Sequence, residues 1–285
     1  MEQNLFPRTE VAGISMPRMI VGTNWMAGCS HRSTPADQMI QAHHATPKAV
    51  ADVVEVFLNN GVDAMMGLIY QYPVIADGIK MAEDRTGKKM MIVDTPGFCM
   101  DDTKEGRKEA EETIKACKKQ DGATFCLVHH GAAEQLVNKN KRTMDRLPDY
   151  LKMIRDYDMI PGLSAHMPEL VQYSDENEYD VETYIQIYNC MGFLMQVEIE
   201  LVNKIIWSAK KPVMTIKPMA AGRCTPFVGL NFNYATLRDC DMVTVGCLTA
   251  GEAAEDIEIS RAAIDRRKAN IKARGSVIKT ELMRD

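Results

Sequence analysis

The sequence predicts an α/β fold, a closed (β/α)8 TIM barrel, on three observations. Eight short apolar runs recur along the chain, each of the length of a buried parallel strand. Amphipathic stretches separate them, and such alternation builds a parallel sheet through right-handed crossovers. The 285 residues hold no Ser/Gly linker or low-complexity tract, so residues 1–285 read as one domain. Eight strand–helix units in a chain near the ~250 residues of a usual barrel favour closure. Periodicity by itself leaves an open doubly wound sheet as the alternative.

The first strand is expected over residues 18–22 (RMIVG). The polar segment 25–46 that follows is too long for a mere connection, and barrel enzymes use such loops as lids. Thr46 then caps a helix with Pro47 at its first position, running through AVADVVEVFLNN to a stop at Gly61. The second strand is 62–66 (VDAMM), followed by a weak helical pattern over 73–85; the third is 90–94 (MMIVD). Residues 102–118 form a helix charged on one face, with Ile114 and Cys117 three apart on the other. The fourth strand is 124–129 (TFCLVH), with a helix at 142–157, and the fifth is 159–164 (MIPGLS). The sixth, 184–188 (YIQIY), leads to a helix at 193–210. The seventh, 213–216 (VMTI), leads to a weaker helical segment at 224–237. The eighth, 242–245 (MVTV), leads to a helix at 251–268, and the tail 270–285 reads as an outer helix or a subunit contact. A homo-oligomer is admitted on that basis.

Thirty-four Lys and Arg against 39 Asp and Glu give 34 − 39 = −5, which argues against nucleic-acid and anionic-membrane partners. No apolar run approaches the ~18 residues of a membrane span, and the start MEQNLFPRTE lacks the order of a signal peptide. A cytoplasmic protein acting on a small molecule is expected. The eight cysteines show no CxxC or zinc-finger spacing, so they read as reduced thiols. Twenty-one methionines imply a core filled by flexible side chains.

A barrel places its chemistry at the C-terminal strand ends and the loops after them. Those positions hold Asn24, the loop 29–31, Tyr70, Tyr72, Asp94, His129, His130, His166, Tyr188, Asn189, Lys217, Arg223 and Cys247. Alternation turns one of His129 and His130 to the cavity and the other to the helices. His129 and His166 offer two imidazoles to a divalent metal, although their spacing matches no recognised ligand motif. Asp94 reads as an acid/base group or a loop cap. Lys217 is an amine in an apolar run, suited to polarising an oxygen or to nucleophilic chemistry. Arg223, after Gly222, offers a fork to a phosphate or carboxylate. Asn24 and Asn189 are candidate substrate-binding amides.

Several phrases, in chain order, resemble the aldo-keto reductase superfamily, especially its distant bacterial members. They are EVAGISMPRMIVGTNWM, NNGVDAMMGLIY, TFCLVHHGA, IPGLSAHMPEL, ETYIQIYN, IKPMAAG and VTVGCLTAGEAAEDIE. The resemblance implies an N-terminal hairpin closing the barrel bottom and a catalytic set of Asp, Tyr, Lys and His. It places His129 at the family His, facing the cavity, and so turns His130 towards the helices. The Asp position falls on Met66 and the Lys position on Pro96, and either Tyr70 or Tyr72 stands near the general-acid Tyr. Without Asp and Lys, that Tyr loses the groups that tune its proton. The family's 2′-phosphate region reads VGCLTAGEAAED, whose Glu252, Glu255 and Asp256 repel a phosphate.

The leading expectation is therefore acid/base or metal-assisted lyase or isomerase chemistry on a small polar carbonyl or sugar-like substrate. His129, Tyr70, Asp94 and Lys217 would be catalytic, with Asn24, Asn189 and Arg223 binding substrate. The alternatives are an NAD(P)-dependent carbonyl oxidoreductase and a barrel that binds or assembles without chemistry. The cofactor is left open, with a divalent metal at His129 and His166 favoured over NAD(P), and tight NADPH binding is not expected.

Overall fold

The computed structural model describes residues 5–272, apart from the side chains of Tyr70 and Asp121. The chain opens with an antiparallel hairpin, β1 (Arg8–Val11) and β2 (Ile14–Pro17). The parallel strands β3 (Met19–Gly22), β4 (Ala64–Gly67), β5 (Met91–Asp94) and β6 (Phe125–Val128) follow. A two-residue ladder, β7 (Val137–Asn138) with β8 (Thr143–Met144), stands outside the main sheet. Then come β9 (Ile160–Ala165), β10 (Tyr184–Ile187), β11 (Val213–Ile216) and β12 (Met242–Val245). Pairing of β12 with β3 through Val243↔Met19 and Val245↔Val21 closes an eight-stranded parallel barrel, and the open-sheet alternative falls.

Strand parity divides the core into two layers. Ile20, Ala64, Met66, Val93, Phe125, Leu127, Ile185, Met214 and Met242 fill the barrel interior. Val11 and Met16 of the hairpin join that cluster, so the hairpin plugs one end of the barrel. Residues of opposite parity, among them Val21, Met65, Ile92, Cys126 and Val243, pack beneath the helices. Methionine supplies much of the interior layer, because an unbranched side chain fills the irregular spaces between tilted strands.

The helices are α1 (Thr34–His43), α2 (Pro47–Asn59), α3 (Pro73–Thr86), α4 (Lys104–Asp121) and α5 (His130–Ala133). They continue with α6 (Leu147–Asp156), α7 (Glu169–Glu176), α8 (Ile199–Ser208), α9 (Pro226–Thr236) and α10 (Ala250–Ile264). α2 starts where its residues dictate: Thr46 accepts a hydrogen bond from the Ala49 amide at 3.3 Å, and Pro47 holds the first position. Val50, Val53, Val54 and Phe57 then form its buried stripe. Two corrections concern elements the periodicity did not reveal. The polar segment 25–46 contains α1, in which only Ile40 is buried, and the stretch after β9 contains the short α7. Both are too short, or too polar, to show a repeating apolar face. The tail expected over 270–285 lies outside the described residues beyond position 272.

Candidate active site

A cavity of about 540 Å³ opens at the end of the barrel opposite the hairpin. Met66, Ser164, Ile185 and Thr244 reach it from the strands, and Trp25, His31 and Arg32 from the segment after β3. Gly246 is shaped for this approach, since a Cβ there would lie 3.1 Å from the Trp25 ring. The open backbone lets the indole lie against the last strand and form one wall.

Four imidazoles and one amine converge here. Phe125 and Leu127 face the barrel interior, and His129 follows in the same parity onto the cavity wall. It is the N-cap of α5, and its Nδ1 accepts a hydrogen bond from the Gly131 amide at 3.2 Å. That bond leaves Nε2 as the protonated nitrogen of a neutral ring. Burial, reinforced by His130, lowers the His129 pKa to about 4, so the ring is neutral at pH 7.

His130 overturns an expectation. Alternation would turn it to the helices, yet it lines the same cavity, with its ring 4.1 Å from His129 and stacked 3.6 Å from His166. β6 ends at Val128, and His130 is the first residue of a helical turn, where the two-residue period of a strand no longer applies. Burial lowers His130 as well, and it takes His166 to about 3 with help from His130 and Lys217. The two ring nitrogens proposed for a metal therefore sit within a stack of rings. Among the described residues no group of three or more His, Cys, Asp or Glu is placed to hold a metal ion.

Lys217 reaches the cavity through its backbone. Met214 faces the barrel interior, so plain alternation from β11 would send Lys217 to the helices. Its φ of 60° lies in the left-handed region, which costs a non-glycine residue about 1 kcal/mol or more. The side chain lines the cavity, with Nζ 3.4 Å from His31 Nε2. Burial lowers its pKa to about 8, which leaves the amine protonated at neutral pH yet able to give up its proton. His31 is itself lowered by burial and by the Lys217 charge, and it is exposed to solvent.

The remaining candidates divide. Asn24 is exposed near Trp25 on the cavity wall, and Arg223 lies on the rim with its guanidinium 3.8 Å over the Phe193 ring. Asp94 is a correction: Val93 points inward, so Asp94 points outward, fully buried. It sits beside Cys117 of α4 and accepts from the Thr95 amide at 2.9 Å. Asn189 is another correction. It is fully buried off the cavity wall, accepting from the Met191 and Phe193 amides and donating to the Phe193 carbonyl, so it shapes its own turn. Tyr72 packs against the outer core beside Cys29 rather than lining the cavity, and burial raises its pKa. Tyr70 stands in a short 3-10 turn, and its side chain lies outside the described residues. Met66 and Pro96 are the residues on which the resemblance set the family's Asp and Lys. Met66 lines the cavity, and the Pro96 carbonyl accepts from the His129 amide at 3.3 Å.

Sequence reasoning passed over Arg32, Trp25 and Cys224, which also line the cavity. A Trp and an Arg within a loop already suspected as a lid could have been singled out. Nothing in the sequence marks Cys224. On the far wall, Glu255 and Asp256 of α10 border the cavity, and Glu252 closes a capping box with Thr249 at the helix start.

No protein-family model matches the chain, and no curated protein does. Solved structures do. A provisionally assigned aldo-keto reductase from Pseudomonas aeruginosa superposes with a TM-score of 0.64 at 12% identity, covering 92% of this chain and 98% of its own. The glycerol dehydrogenase from Gluconobacter oxydans gives 0.58 at 12% identity, over 96% of this chain and 98% of its own. An aldo-keto reductase from Klebsiella pneumoniae, solved with NADPH, gives 0.59 at 11% identity, over 93% and 92%. The chain thus has an aldo-keto-reductase-like (β/α)8 barrel, and at such identities the likeness is one of fold.

Proposed function

We propose that this barrel is a nicotinamide-dependent oxidoreductase acting on a small polar carbonyl compound or the corresponding alcohol, with NAD preferred to NADP. The observation that carries the reading is that Lys217 and His129, a proton donor and a neutral hydrogen-bond donor, share the wall of one barrel-mouth cavity. Support comes also from the fold neighbours, all three of them described as reductases or a dehydrogenase.

The residues suit a dinucleotide without a 2′-phosphate. Arg32 and Arg223 bring two guanidinium groups to the rim, and among the described residues neither forms an ion pair. Between them Ala220, Ala221 and Gly222 all have positive φ, and a Cβ on Gly222 would meet nothing nearer than the Arg32 side chain at 3.9 Å. Such a bare, left-handed turn flanked by arginines suits a pyrophosphate. Glu255 and Asp256 suit ribose hydroxyls, which a carboxylate accepts, and repel the extra phosphate of NADP. A bound nicotinamide would supply or remove the electron pair at the carbonyl carbon.

The chain's own groups do the rest. His129 holds a neutral ring whose Nε2–H donates to a carbonyl oxygen and orients it. Lys217 gives its proton to the oxygen as that oxygen becomes negative, and His31, at its side and exposed, returns a proton from solvent. Ser164 and Thr244 add hydroxyls for a polar substrate.

The lyase or isomerase expectation loses Asp94, which faces the helices, and its metal pair, since no third ligand joins His129 and His166 among the described residues, while the fold neighbours favour the oxidoreductase. Titrating NADH and NADPH against intrinsic tryptophan fluorescence, to which Trp25 on the cavity wall contributes beside Trp207, tests the reading, followed by turnover with small aldehydes, ketones and polyols. NADH should quench the fluorescence and NADPH bind at least about tenfold more weakly, the effect of one unfavourable ~1.4 kcal/mol charge interaction. Failure of both dinucleotides to bind would overturn it.

A further inference from the structure

We propose that Cys190 and Cys224 form a redox-active dithiol at the cavity rim, which a low-molecular-weight disulfide converts to an intramolecular disulfide. Their Sγ atoms lie 3.8 Å apart, in van der Waals contact. An S–S bond of ~2.05 Å requires each loop to advance only about 1 Å. The strands beneath the two loops impose the meeting, since β10 and β11 pair in parallel up to Ile187↔Ile216 and their following segments emerge side by side.

Both segments can make that movement without breaking a ladder. Cys190 precedes a turn in which Leu194 and Gln196 have left-handed φ values of 58° and 59°. Cys224 follows the left-handed residues Ala220, Ala221 and Gly222 and precedes the cap of α9. Arg223 over Phe193 adds a second contact between the same loops. Both thiols are partly exposed, so a reagent can reach them. The other thiol pair in hydrogen-bond contact, Cys117 with Cys126, is fully buried between α4 and the barrel.

The exchange balances without a further oxidant. The Cys190 thiolate attacks one sulfur of the small disulfide, forming a mixed disulfide and releasing one small thiolate. Cys224 then attacks the Cys190 sulfur, its proton passes to water, and the second small thiolate leaves. The protein loses two hydrogens, and the small disulfide gains two electrons and becomes two thiols. Either thiol can open the exchange; burial and the neighbouring thiol push Cys224 up to about 11, which slows attack from that side. The product ties the segment carrying Lys217, Gly222 and Arg223 to the loop after β10. Bond formation does not depend on the proposed function; its effect on a dinucleotide does.

The test treats the whole protein with oxidised glutathione, then counts thiols and maps peptides without reduction. The expected result is a peptide joining Cys190 to Cys224 and the loss of those two thiols, both reversed by dithiothreitol, whatever adduct forms at the exposed Cys29. C224S should stop at a glutathione adduct on Cys190, and C190S should form no crosslink at this site. A stable glutathione adduct at Cys190 or Cys224 of the unaltered protein, no reaction at either, or a Cys117–Cys126 crosslink in their place would each overturn the proposal. NADH titration of the oxidised form gives a separate readout. If the disulfide forms but NADH binds neither form, the oxidoreductase reading fails and the dithiol stands.

Discussion

His129 and His130 show how much one residue's place in the chain can change its role. They are adjacent and of the same type, yet one caps a turn while the other begins it, and both meet the cavity. His129→Asn should keep the cap, because Asn is among the best N-cap residues, while losing the ring that orients a carbonyl. Turnover should fall at least ~100-fold with little change in thermal midpoint, as steady-state kinetics beside calorimetry would show. A strand-based reading expects His130→Asn to harm stability more than turnover. The place of His130 on the cavity wall reverses that: turnover should suffer and the midpoint should hold. Lys217→Met should also lower carbonyl reduction by at least ~100-fold. Since the lysine must carry its proton to donate it, reduction by the unaltered protein should decline as pH rises through about 8, and alcohol oxidation should rise over the same range. A reduction rate flat from pH 6 to 10 would remove Lys217 from that role.

At the scale of elements, strand parity separates the residues that can act from those that cannot. Asp94 and His129 both follow short apolar runs, but Val93 points inward one residue before Asp94, whereas Leu127 points inward two residues before His129. A roll of polar strand ends does not register that difference. α10 carries a second prediction. Its first turns present Glu255 and Asp256 to the cavity beneath a capping box in which Thr249 and Glu252 satisfy each other's backbone amides. Thr249→Ala should cost about 1 kcal/mol, seen as a fall of about 2–4 °C in midpoint for a protein of this size class. Glu255→Arg should move dinucleotide preference towards NADPH by about tenfold or more, because an attraction of ~1.4 kcal/mol replaces a repulsion. An unchanged NADH-to-NADPH ratio would show that α10 does not meet the ribose.

For the whole molecule, histidine burial sets an acid limit. His44 is buried with neither ring nitrogen hydrogen-bonded among the described residues, and burial takes its pKa to about 4. His129 falls to about 4 and His166 to about 3, with burial first in each case. In the unfolded chain these rings take up protons near pH 6.5, and in the folded chain they resist. Stability is therefore complete above about pH 6.5 and declines as pH falls from there towards 4. Calorimetry should find the midpoint lower by about 6–12 °C at pH 5 than at pH 7, the effect of about 3 kcal/mol at ~2–4 °C each. His44→Leu should flatten that slope, because a leucine has no proton to gain.

Taken alone, the sequence determined the eight strands of the parallel sheet and the capped start of α2, while the pairing of β12 with β3 decided that the sheet closes. Strands and cap rest on local pattern, and a period of two or of 3.6 residues is written in neighbouring side chains. Tertiary structure decided what enters the cavity. Lys217 arrives there by a left-handed φ, His130 by the end of a strand, and Arg32 and Cys224 by the meeting of loops far apart in the chain. Asp94 and Asn189 were drawn the other way, one by parity and one by the hydrogen bonds of its own turn. The direction of a side chain past the last strand residue depends on backbone angles that packing imposes, and no local periodicity records them.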